Sequence, residues 1–433
     1  MTRMKESGID WIGQIPEEWY LGKVKFFSKI SAGATPDRNN IFFWNGDINW
    51  MSSGEVNQEV VTHTAETITT LALKRTSTKL LPIGTVMLAL NGQGKTKGTA
   101  AVLAIETASN QSLASFIVDN AKVNNIYLYY FLKANYSNIR GLKGEDRDGL
   151  NLQLVSNIII PLLDIKEQQK IADFLDKKTA QLDKVKSLLE EQIQKLKDYR
   201  ASLIYETVTK GLDKTVPMKD SGINWIGEVP EGWGVKRLKY LVNKIGSGKT
   251  PLGGSEIFEE TGILFIRSQN VHNGLIQLED KSTYINRNIH RQMIGTSVEK
   301  NDILLNITGA SIGRVAKYDL DVEANVNQHV CIIRCDRFVL PDYLMYFIMS
   351  EFGQFMIKIH QISGNREGLS FDNIGNFKII IPDLDYQYKI SQYLNKKMLI
   401  INQMIKTKDQ QIENINKQRQ TLIYDYVTGK RRV

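Results

Sequence analysis

The sequence predicts an α+β fold in which two similar domains are joined and separated by two long antiparallel coiled-coil helices. Three observations predict it: an internal repeat that runs through nearly the whole chain, short apolar runs of strand length in each half, and leucines spaced at sevens at the end of each half. A chain of 433 residues is long enough for two or three domains. We expect the two halves to share one fold and to be related by a pseudo-twofold internal repeat.

The repeat opens with MKESGIDWIGQIPEEW at residues 4–19, which returns as MKDSGINWIGEVPEGW at residues 218–233 and matches at 11 of 16 positions. The offset between the halves drifts only from 214 to 221 residues, and small insertions of this kind belong in surface loops. The sequence therefore predicts a first domain over residues 1–164 and a second over residues 218–385. The further repeated motifs are Gly33-x-Thr35-Pro36 with Gly248-x-Thr250-Pro251, Asn110-Gln111 with Asn327-Gln328, YLYYFL with YLMYFI, and LIYETVT with LIYDYVT.

Short apolar runs bounded by Gly, Asn or Asp predict β-strands in both halves. These runs are residues 84–90, 100–105, 303–307 and 330–333. The opening segment of each half carries a proline, Pro16 or Pro230, and two tryptophans. We expect brief turns or helical pieces there, with the tryptophans pinning each segment to its domain as core residues.

Heptad spacing at the end of each half predicts two long helices, over residues 165–211 and 386–429, with a linker at 212–217. Apolar residues repeated every seven positions keep one face of a helix against a partner helix, so each helix needs a partner, and the other helix is the obvious one. Some 44 residues of helix would be roughly 65 Å long. Lys408 interrupts the second stripe. The predicted interface residues are Leu175, Leu182, Leu189, Leu196 and Leu203 in the first helix and Leu394, Ile401, Ile415 and Leu422 in the second.

The composition permits a polyanionic partner without requiring one. The chain carries 55 Lys and Arg against 47 Asp and Glu, a formal charge of +8. Residues 166–210 are net +2 and residues 386–430 net +5, so any nucleic-acid surface on the globular parts must be a local patch. The two cysteines fit a reducing compartment, and neither a membrane span nor a secretory signal is visible. We therefore expect a cytoplasmic protein with no membrane partner.

Motifs for catalysis and metal binding are incomplete in this sequence. The segments Gly94-Lys95-Thr96 and Gly248-Lys249-Thr250 lack the glycine that a phosphate-binding loop needs five positions before its Gly-Lys pair. The chain contains no Pro-Pro pair and so lacks the signature of an adenine methyltransferase. His329, Cys331 and Cys335 could share a strand face, but a structural zinc site needs four ligands, and core packing is the better interpretation. We expect no catalytic and no metal-binding residues.

Binding chemistry remains. A glycine-rich loop at residues 91–98 carries polar and basic side chains on a backbone that can approach a phosphodiester closely, and residues 308–314 are its counterpart. After a predicted strand in the second half come three residues of the types that read base edges, and the aligned positions in the first half are Ser52, Gly54 and Glu55. The candidate DNA-contacting residues are Gln93, Lys95, Lys97, Arg147, Arg267, Gln269, Asn270, Thr308, Ser311, Arg314 and Arg366.

Two interpretations of these candidates stay open. The repeated scaffold with different polar residues fits two domains that read two different short sequences, but the same residues could form ordinary polar turns. Arg147 and Arg366 have acidic neighbours, Asp148 and Glu367, and could simply pin a loop.

The duplicated SGI(D/N)WIG(Q/E)(I/V)PE-x-W segments, the IIIP junctions that lead into the helices, and the run at residues 167–171 resemble the specificity subunit of type I restriction-modification enzymes. The resemblance covers nearly the whole chain. It implies two target-recognition domains beside an antiparallel helix pair, a non-catalytic role, and assembly with modification and restriction subunits. The second half departs from the usual start of the helix, with Tyr-Gln-Tyr-Lys at residues 386–389.

The resemblance also implies the partners and their cofactors. Double-stranded DNA, two modification subunits and ATP-driven restriction subunits are expected, with S-adenosylmethionine, ATP and Mg in those partner subunits and no cofactor bound by this chain. Two readers held apart by a stiff coil would recognise a bipartite target with an unread spacer. The alternative is a coiled-coil scaffold without DNA, whose two globular ends bind proteins.

Overall fold

The computed structural model describes residues 3–143, 149–251, 253–278, 282–361 and 368–433. The chain divides into two compact units. Unit 1 combines Met1–Leu189 with Asp409–Val433, and unit 2 is Glu190–Lys408. Each unit therefore holds one globular domain together with a part of each long helix.

In the first half of the chain the strands are β1 Met4–Glu6, β2 Gln14–Pro16, β3 Tyr20–Lys23, β4 Ser28–Ala32, β5 Trp44–Met51, β6 Val60–Val61, β7 Glu66–Ile68, β8 Val86–Ala89, β9 Ala100–Leu103, β10 Ala108–Ser109, β11 Leu113–Val118 and β12 Ile159–Leu162. The helices are α1 Thr70–Arg75, α2 Asn125–Ala134, α3 Tyr136–Arg140, α4 Leu152–Ser156 and the long α5 Ile165–Lys210.

In the second half the strands are β13 Met218–Asp220, β14 Glu228–Pro230, β15 Gly234–Arg237, β16 Val242–Ser247, β17 Ile263–Ile266, β18 Val271–His272, β19 Leu275–Ile276, β20 Tyr284–Ile285, β21 Ser297–Val298, β22 Ile303–Asn306, β23 Val315–Lys317, β24 Ala324–Val326, β25 Val330–Cys335 and β26 Lys378–Ile381. The helices are α6 Arg287–Gln292, α7 Pro341–Met349, α8 Glu351–Gln361, α9 Phe371–Gly375 and the long α10 Leu384–Val427.

The two domains repeat one sheet topology, which confirms the predicted α+β fold with an internal repeat. The main sheet of unit 1 has the order β4-β11-β8-β9-β6, and that of unit 2 has the order β16-β25-β22-β23. The shared strands pair antiparallel in both sheets. A second sheet in each unit, of three strands in unit 1 and four in unit 2, contains one parallel pair, β5 with β10 and β17 with β24. The predicted strand runs coincide with β8, β9, β22 and β25.

The repeated Gly-x-Thr-Pro motifs have a structural reason. A Cβ atom on Gly33 would overlap the carbonyl oxygen of Ser109, and one on Gly248 would overlap that of Val326. Two residues later, the hydroxyl of Thr35 donates to Gln111 Oε1, and that of Thr250 donates to Gln328 Oε1. The glycine thus allows one backbone to approach another, and the threonine closes that approach with a hydrogen bond.

In each unit a buried tyrosine contacts the last turn of one long helix and the strand that leads into the other. The hydroxyl oxygen of Tyr127 in α2 lies 3.1 Å from the carbonyl oxygens of Pro161, just before α5, and Val427, at the end of α10. In unit 2 the hydroxyl oxygen of Tyr343 lies 2.7 Å from the carbonyl oxygen of Ile380 and 3.4 Å from that of Val208. Both tyrosines are fully buried.

A buried glutamine in the first turn of each long helix makes a second tie. Gln168 accepts from the backbone N–H of Asn124 and donates to the carbonyl oxygens of Lys122 and Leu163. Gln387 accepts from Leu340 N–H and donates to Phe338 and Pro382. The Tyr-Gln-Tyr-Lys departure at residues 386–389 therefore keeps the glutamine that joins helix to domain.

The long helices run antiparallel where they meet within each unit. In unit 1, Phe174 packs on Tyr426 with ring centroids 4.5 Å apart, and nine residues further along α5 Asp183 meets Arg419. In unit 2, Gln192 meets Lys408 and Arg200 meets Asn402. Rising numbers in one helix thus face falling numbers in the other.

The predicted interface leucines differ in burial along the helices. Leu175 and Leu394 are fully buried and Ile401 is 4 % exposed, all within the domain cores. The remaining predicted interface residues are half-buried: Leu182, Leu189, Leu196, Leu203, Ile415 and Leu422. The helix pair is therefore packed most tightly against the globular domains.

Two expectations about the opening segments hold only in part. Of the expected brief turns or helical pieces, only turns are present: each segment forms a β-hairpin, with β1 paired to β2 and β13 to β14, because the intervening Gly-rich turn reverses the chain. Its tryptophans are not all core residues. Trp19 is 1 % exposed and Trp233 7 %, but Trp225 is 38 % exposed and stacks on Phe352.

We predict that Leu394→Ala lowers the free energy of unfolding by about 2–4 kcal/mol, because it removes a fully buried side chain and leaves a cavity. The matched control is Leu399→Ala in the same helix, whose side chain is 73 % exposed; its effect should stay within about 0.5 kcal/mol. Chemical denaturation followed by circular dichroism measures both variants. Equal losses in the two variants would contradict the packing described for α10.

Candidate nucleic-acid interface

In unit 2, several predicted DNA-contacting residues line one open cleft of about 400 Å³. The cleft lies where strands β17 and β22 end and β25 begins. Short 3₁₀ turns at Ser268–Asn270 and Gly309–Ser311 follow β17 and β22. Polar residues at neighbouring strand ends are brought together because the strands lie in adjacent sheets of one unit. The lining residues are Ser268, Gln269, Thr308, Gly309, Ala310, Ser311, Arg314 and His329.

Exposure divides these side chains into two groups. Gln269 and Arg314 are exposed, whereas Thr308 and Ser311 are half-buried at the cleft wall. Exposed amide and guanidinium groups can reach a base edge or a phosphate directly. The cleft thus offers two long, exposed polar side chains and two short hydroxyl groups at its wall.

The cleft wall is held from behind by two residues that sequence reasoning did not propose as binding residues. Asn306 is fully buried; its Nδ2 lies 2.8 Å from the carbonyl oxygen of Ser268 and 3.1 Å from Ser311 Oγ. His329 bonds to the hydroxyl of Thr308 through Nδ1, and its Nε2 lies 3.0 Å from Gln328 Nε2. The sequence signal for both was their difference from the first half, where Ala89 and Ser112 occupy the aligned positions.

Asn270 does not face the cleft as a base reader. Its side chain is 6 % exposed, accepts from the backbone N–H of Arg267, and donates to the carbonyl oxygen of Gln277. The amide is therefore used to close the turn after β17. Arg267 is half-buried, with its guanidinium 5.9 Å from the ring centroid of Phe258. Of the predicted trio, only Gln269 is fully available to a ligand.

In unit 1, the loop at residues 91–98 is held by helix α3. The hydroxyl of Tyr136 donates to the carbonyl oxygen of Lys95 at 3.0 Å, and Arg140 Nη1 donates to that of Gly94 at 2.7 Å. Gln93 and Lys95 are exposed, as expected for a DNA-contacting loop. Lys97 is only 2 % exposed, so the expectation of an accessible second lysine is wrong: the loop turns this side chain inward.

Lys95 also lines a pocket with Glu59, Lys133 and Arg419. Together with Asp183, which pairs with Arg419, these three ionisable residues other than Lys95 form what we call the Glu59 cluster: Glu59, Lys133, Asp183 and Arg419. Glu59 lies 2.5 Å from Lys133 Nζ and 3.1 Å from Arg419 Nη2, and Arg419 lies 3.3 Å from Asp183. Burial opposes ionisation of Glu59, but the two cations outweigh it, and the pKa of Glu59 is lowered. The cluster links the domain to both long helices.

Arg147 and Arg366, the remaining candidates, lie outside the described residues. The residues just after them are described and contact the two loops. Leu150 N–H donates to the carbonyl oxygen of Leu90, and Leu369 N–H donates to that of Ile307. The repeated Arg-x-Gly-Leu motif therefore ends beside the candidate loop in each unit.

Within the described ranges, no group of three or more His, Cys, Asp or Glu side chains is arranged to hold a metal ion. Cys331 is buried, and burial raises its pKa to about 12, as it does that of Cys335. Both thiols are therefore protonated near neutral pH. No helix in the described part of the chain combines the length and apolarity that crossing a bilayer requires.

The family profile described as "Type I restriction modification DNA specificity domain" matches residues 16–197 and again residues 230–414. The two matches together cover most of the chain and follow the internal repeat. The chain belongs to this family. The predicted resemblance is thereby confirmed, and the chain carries two such DNA specificity domains in tandem.

Individual relatives agree with the family. The MjaIX specificity subunit of Methanocaldococcus jannaschii is 25 % identical over all of this chain and 97 % of its own length. The EcoBI specificity subunit of Escherichia coli is 25 % identical over 74 % of this chain and 69 % of its own.

Solved structures share the fold. A chain from a type I R-M system structure has a TM-score of 0.72 at 13 % identity, with 95 % of this chain and 98 % of that chain covered. The HsdS subunit of Thermoanaerobacter tengcongensis has a TM-score of 0.50 at 13 % identity, over 96 % and 98 % of the two chains.

We predict that the contribution of Glu59 to stability depends on pH. Because its pKa is lower in the folded chain than its ordinary value of 4.5, the stabilisation is fully present above pH 4.5 and is lost as the pH falls through the folded-state pKa. Glu59→Gln should cost about 1 kcal/mol of unfolding free energy at pH 7, since the carboxylate is half-exposed.

Urea titrations of both proteins at pH 7 and near pH 3 measure this contribution. The difference between wild type and variant should shrink at the acidic pH. Lys195, in an exposed pair with Glu191 on α5, gives the control variant Lys195→Gln, which we expect to leave the stability essentially unchanged at either pH. A difference at Glu59 that does not change with pH would contradict the role assigned to the cluster.

Proposed function

We propose that this chain is the non-catalytic DNA-recognition subunit of a type I restriction-modification complex and that each specificity domain reads one half of a bipartite target. The proposal rests on one contrast: the contacts that hold the fold are repeated in both domains, whereas the polar residues at the ends of the strands differ. The Gly-x-Thr-Pro contacts, the buried tyrosines and the main-sheet topology are the same in both domains. The cleft residues of unit 2 have different counterparts in unit 1.

Two domains that share a fold need different side chains at their contact sites to recognise two different DNA sequences. Thr308 aligns with Asn91, and the exposed Gln269 aligns with Gly54. Side chains at these places differ in the hydrogen bonds they can offer, and base edges in the major groove are distinguished by their pattern of donors and acceptors. A scaffold protein without DNA would need no such change at these strand ends.

The affinity would come largely from phosphate contacts. Lys95 and Arg314 are exposed beside the candidate loops of the two domains and suit this role, while the surplus positive charge lies mainly on the long helices. Modification and restriction subunits would supply further contacts. Two modification subunits would carry S-adenosylmethionine, and restriction subunits would use ATP and Mg. The length of the helices would set the unread spacer.

We predict that Gln269→Ala relaxes base preference in the second half-target by about 1–3 kcal/mol, as expected for loss of a direct base contact. The neighbouring Asn270→Ala removes hydrogen bonds that close the turn and should instead lower the stability of unit 2. Selection from random duplexes, with modification subunits present, measures the first effect, and thermal melting measures the second. Equal weakening on all sequences would assign Gln269 to a phosphate.

Exchange of residues 1–164 with those of another family member tests the proposed function itself. We expect the hybrid, assembled with modification subunits, to methylate a target in which one half is new and the other is retained. Sequencing of methylated sites reports both halves and the gap between them. A change in both halves of the target would contradict the proposal that each domain reads one half. If the unaltered chain selects no DNA sequence, the alternative of a protein-binding coiled-coil scaffold is favoured.

A further inference from the structure

The direction of the hydrogen bonds behind the cleft of unit 2 determines what its wall can bind. The carbonyl oxygen of Ser268 can only accept, so the atom of Asn306 that faces it at 2.8 Å must be the amide nitrogen. The same nitrogen lies 3.1 Å from Ser311 Oγ. Ser311 therefore accepts a hydrogen bond from inside the domain, and its own O–H hydrogen is left for a partner in the cleft.

The hydroxyl of Thr308 also accepts a hydrogen bond from inside the domain, through a longer series of hydrogen-bonded side chains. The hydroxyl of Thr250 donates to Gln328 Oε1, which leaves Gln328 Nε2 to donate to His329 Nε2 at 3.0 Å. With the amide of Gln328 in this orientation, a neutral His329 carries its hydrogen on Nδ1 and donates it to the hydroxyl of Thr308. The same Thr-Gln contact recurs between Thr35 and Gln111 in unit 1.

We propose that Thr308 and Ser311 present two oriented O–H donors to hydrogen-bond acceptors of DNA, and that His329 and Asn306 are positioning residues that fix this polarity. The inference rests on the proposed function. The acceptor is a purine N7 on the major-groove edge of a base or a phosphate oxygen. Adenine N6 and cytosine N4, which donate, are disfavoured opposite this wall.

Unit 1 lacks this arrangement. Ala89 replaces Asn306 and cannot donate, and Ser112 and Asn91 stand in place of His329 and Thr308. An asparagine at position 91 offers both a donor and an acceptor. The outward orientation of the two O–H groups is therefore specific to the second domain. Its effect on recognition should be confined to the second half-target.

The test uses the full chain assembled with its modification subunits and a duplex that carries its selected target. Each purine of the second half-target is replaced in turn by its 7-deaza analogue, which lacks the N7 acceptor, and each phosphate by a methylphosphonate. Binding is measured for the unaltered chain, for Ser311→Ala and for Thr308→Val, whose side chain has the shape of threonine without the donor.

We expect each variant to bind the unmodified duplex about tenfold more weakly. We also expect that one analogue position weakens binding by the unaltered chain about tenfold. The same analogue should not weaken binding further when the hydroxyl that contacts this position has been removed. Coupling to a 7-deazapurine identifies a base edge, and coupling to a methylphosphonate identifies a phosphate; both support the proposal. If no position couples to either hydroxyl, the proposal is wrong.

The positioning residues are tested by a matched pair. His329→Asn keeps an N–H group that can donate to Thr308, whereas His329→Leu does not. We expect the leucine variant to lose the coupling of Thr308 to its analogue position and the asparagine variant to retain it within about threefold. The melting temperature reports whether unit 2 is folded, and preference in the first half-target reports whether unit 1 still reads its half. Failure of the unaltered chain to select any target would refute the proposed function instead.

Discussion

A single buried hydroxyl at each junction between domain and helices is the constraint on which the rest of the structure depends. Tyr127 faces a carbonyl group of β12, the strand that leads into one long helix, and the carbonyl group of the residue that ends the other helix. Burial raises the pKa of this hydroxyl, and that of Tyr343, well above its ordinary value, so each stays a neutral donor. The partners of the hydroxyl are backbone carbonyl groups, so the contact depends on the course of the backbone and not on the side chains of the partner residues. The tyrosine therefore fixes where both helices meet the domain.

The buried glutamines, Gln168 and Gln387, strengthen this constraint. Each makes three hydrogen bonds to backbone groups, and replacing it with an apolar residue would leave those groups unpaired inside the protein. These glutamines, which pair buried backbone groups, are repeated in both halves, whereas the polar residues that line the cleft of unit 2 are not. The repeat therefore separates residues that hold the fold from residues that are free to differ between two readers.

Much of the fold could be predicted because its signals are periodic or duplicated. Heptad leucines indicated the helices, and the duplicated motifs indicated two like domains. The site could be predicted only in part, since exposure is not encoded locally. Lys97 and Asn270 have residue types suited to DNA, but one is turned inward and the other closes a turn. Asn306 and His329 act through contacts with residues 38 and 21 positions away, which no local pattern reveals.

The two junctions also differ in their electrostatics. Arg419 in unit 1 pairs with Asp183 and Glu59, while its counterpart in the repeat, Arg200, meets the neutral Asn402. Lys133 in the same cluster is replaced by Met349. Exposed and half-exposed ion pairs are weakened by salt, and neutral hydrogen bonds and apolar contacts are affected far less. The attachment of the first domain to its helices is therefore the more sensitive of the two to ionic conditions, although both are built on the same backbone plan.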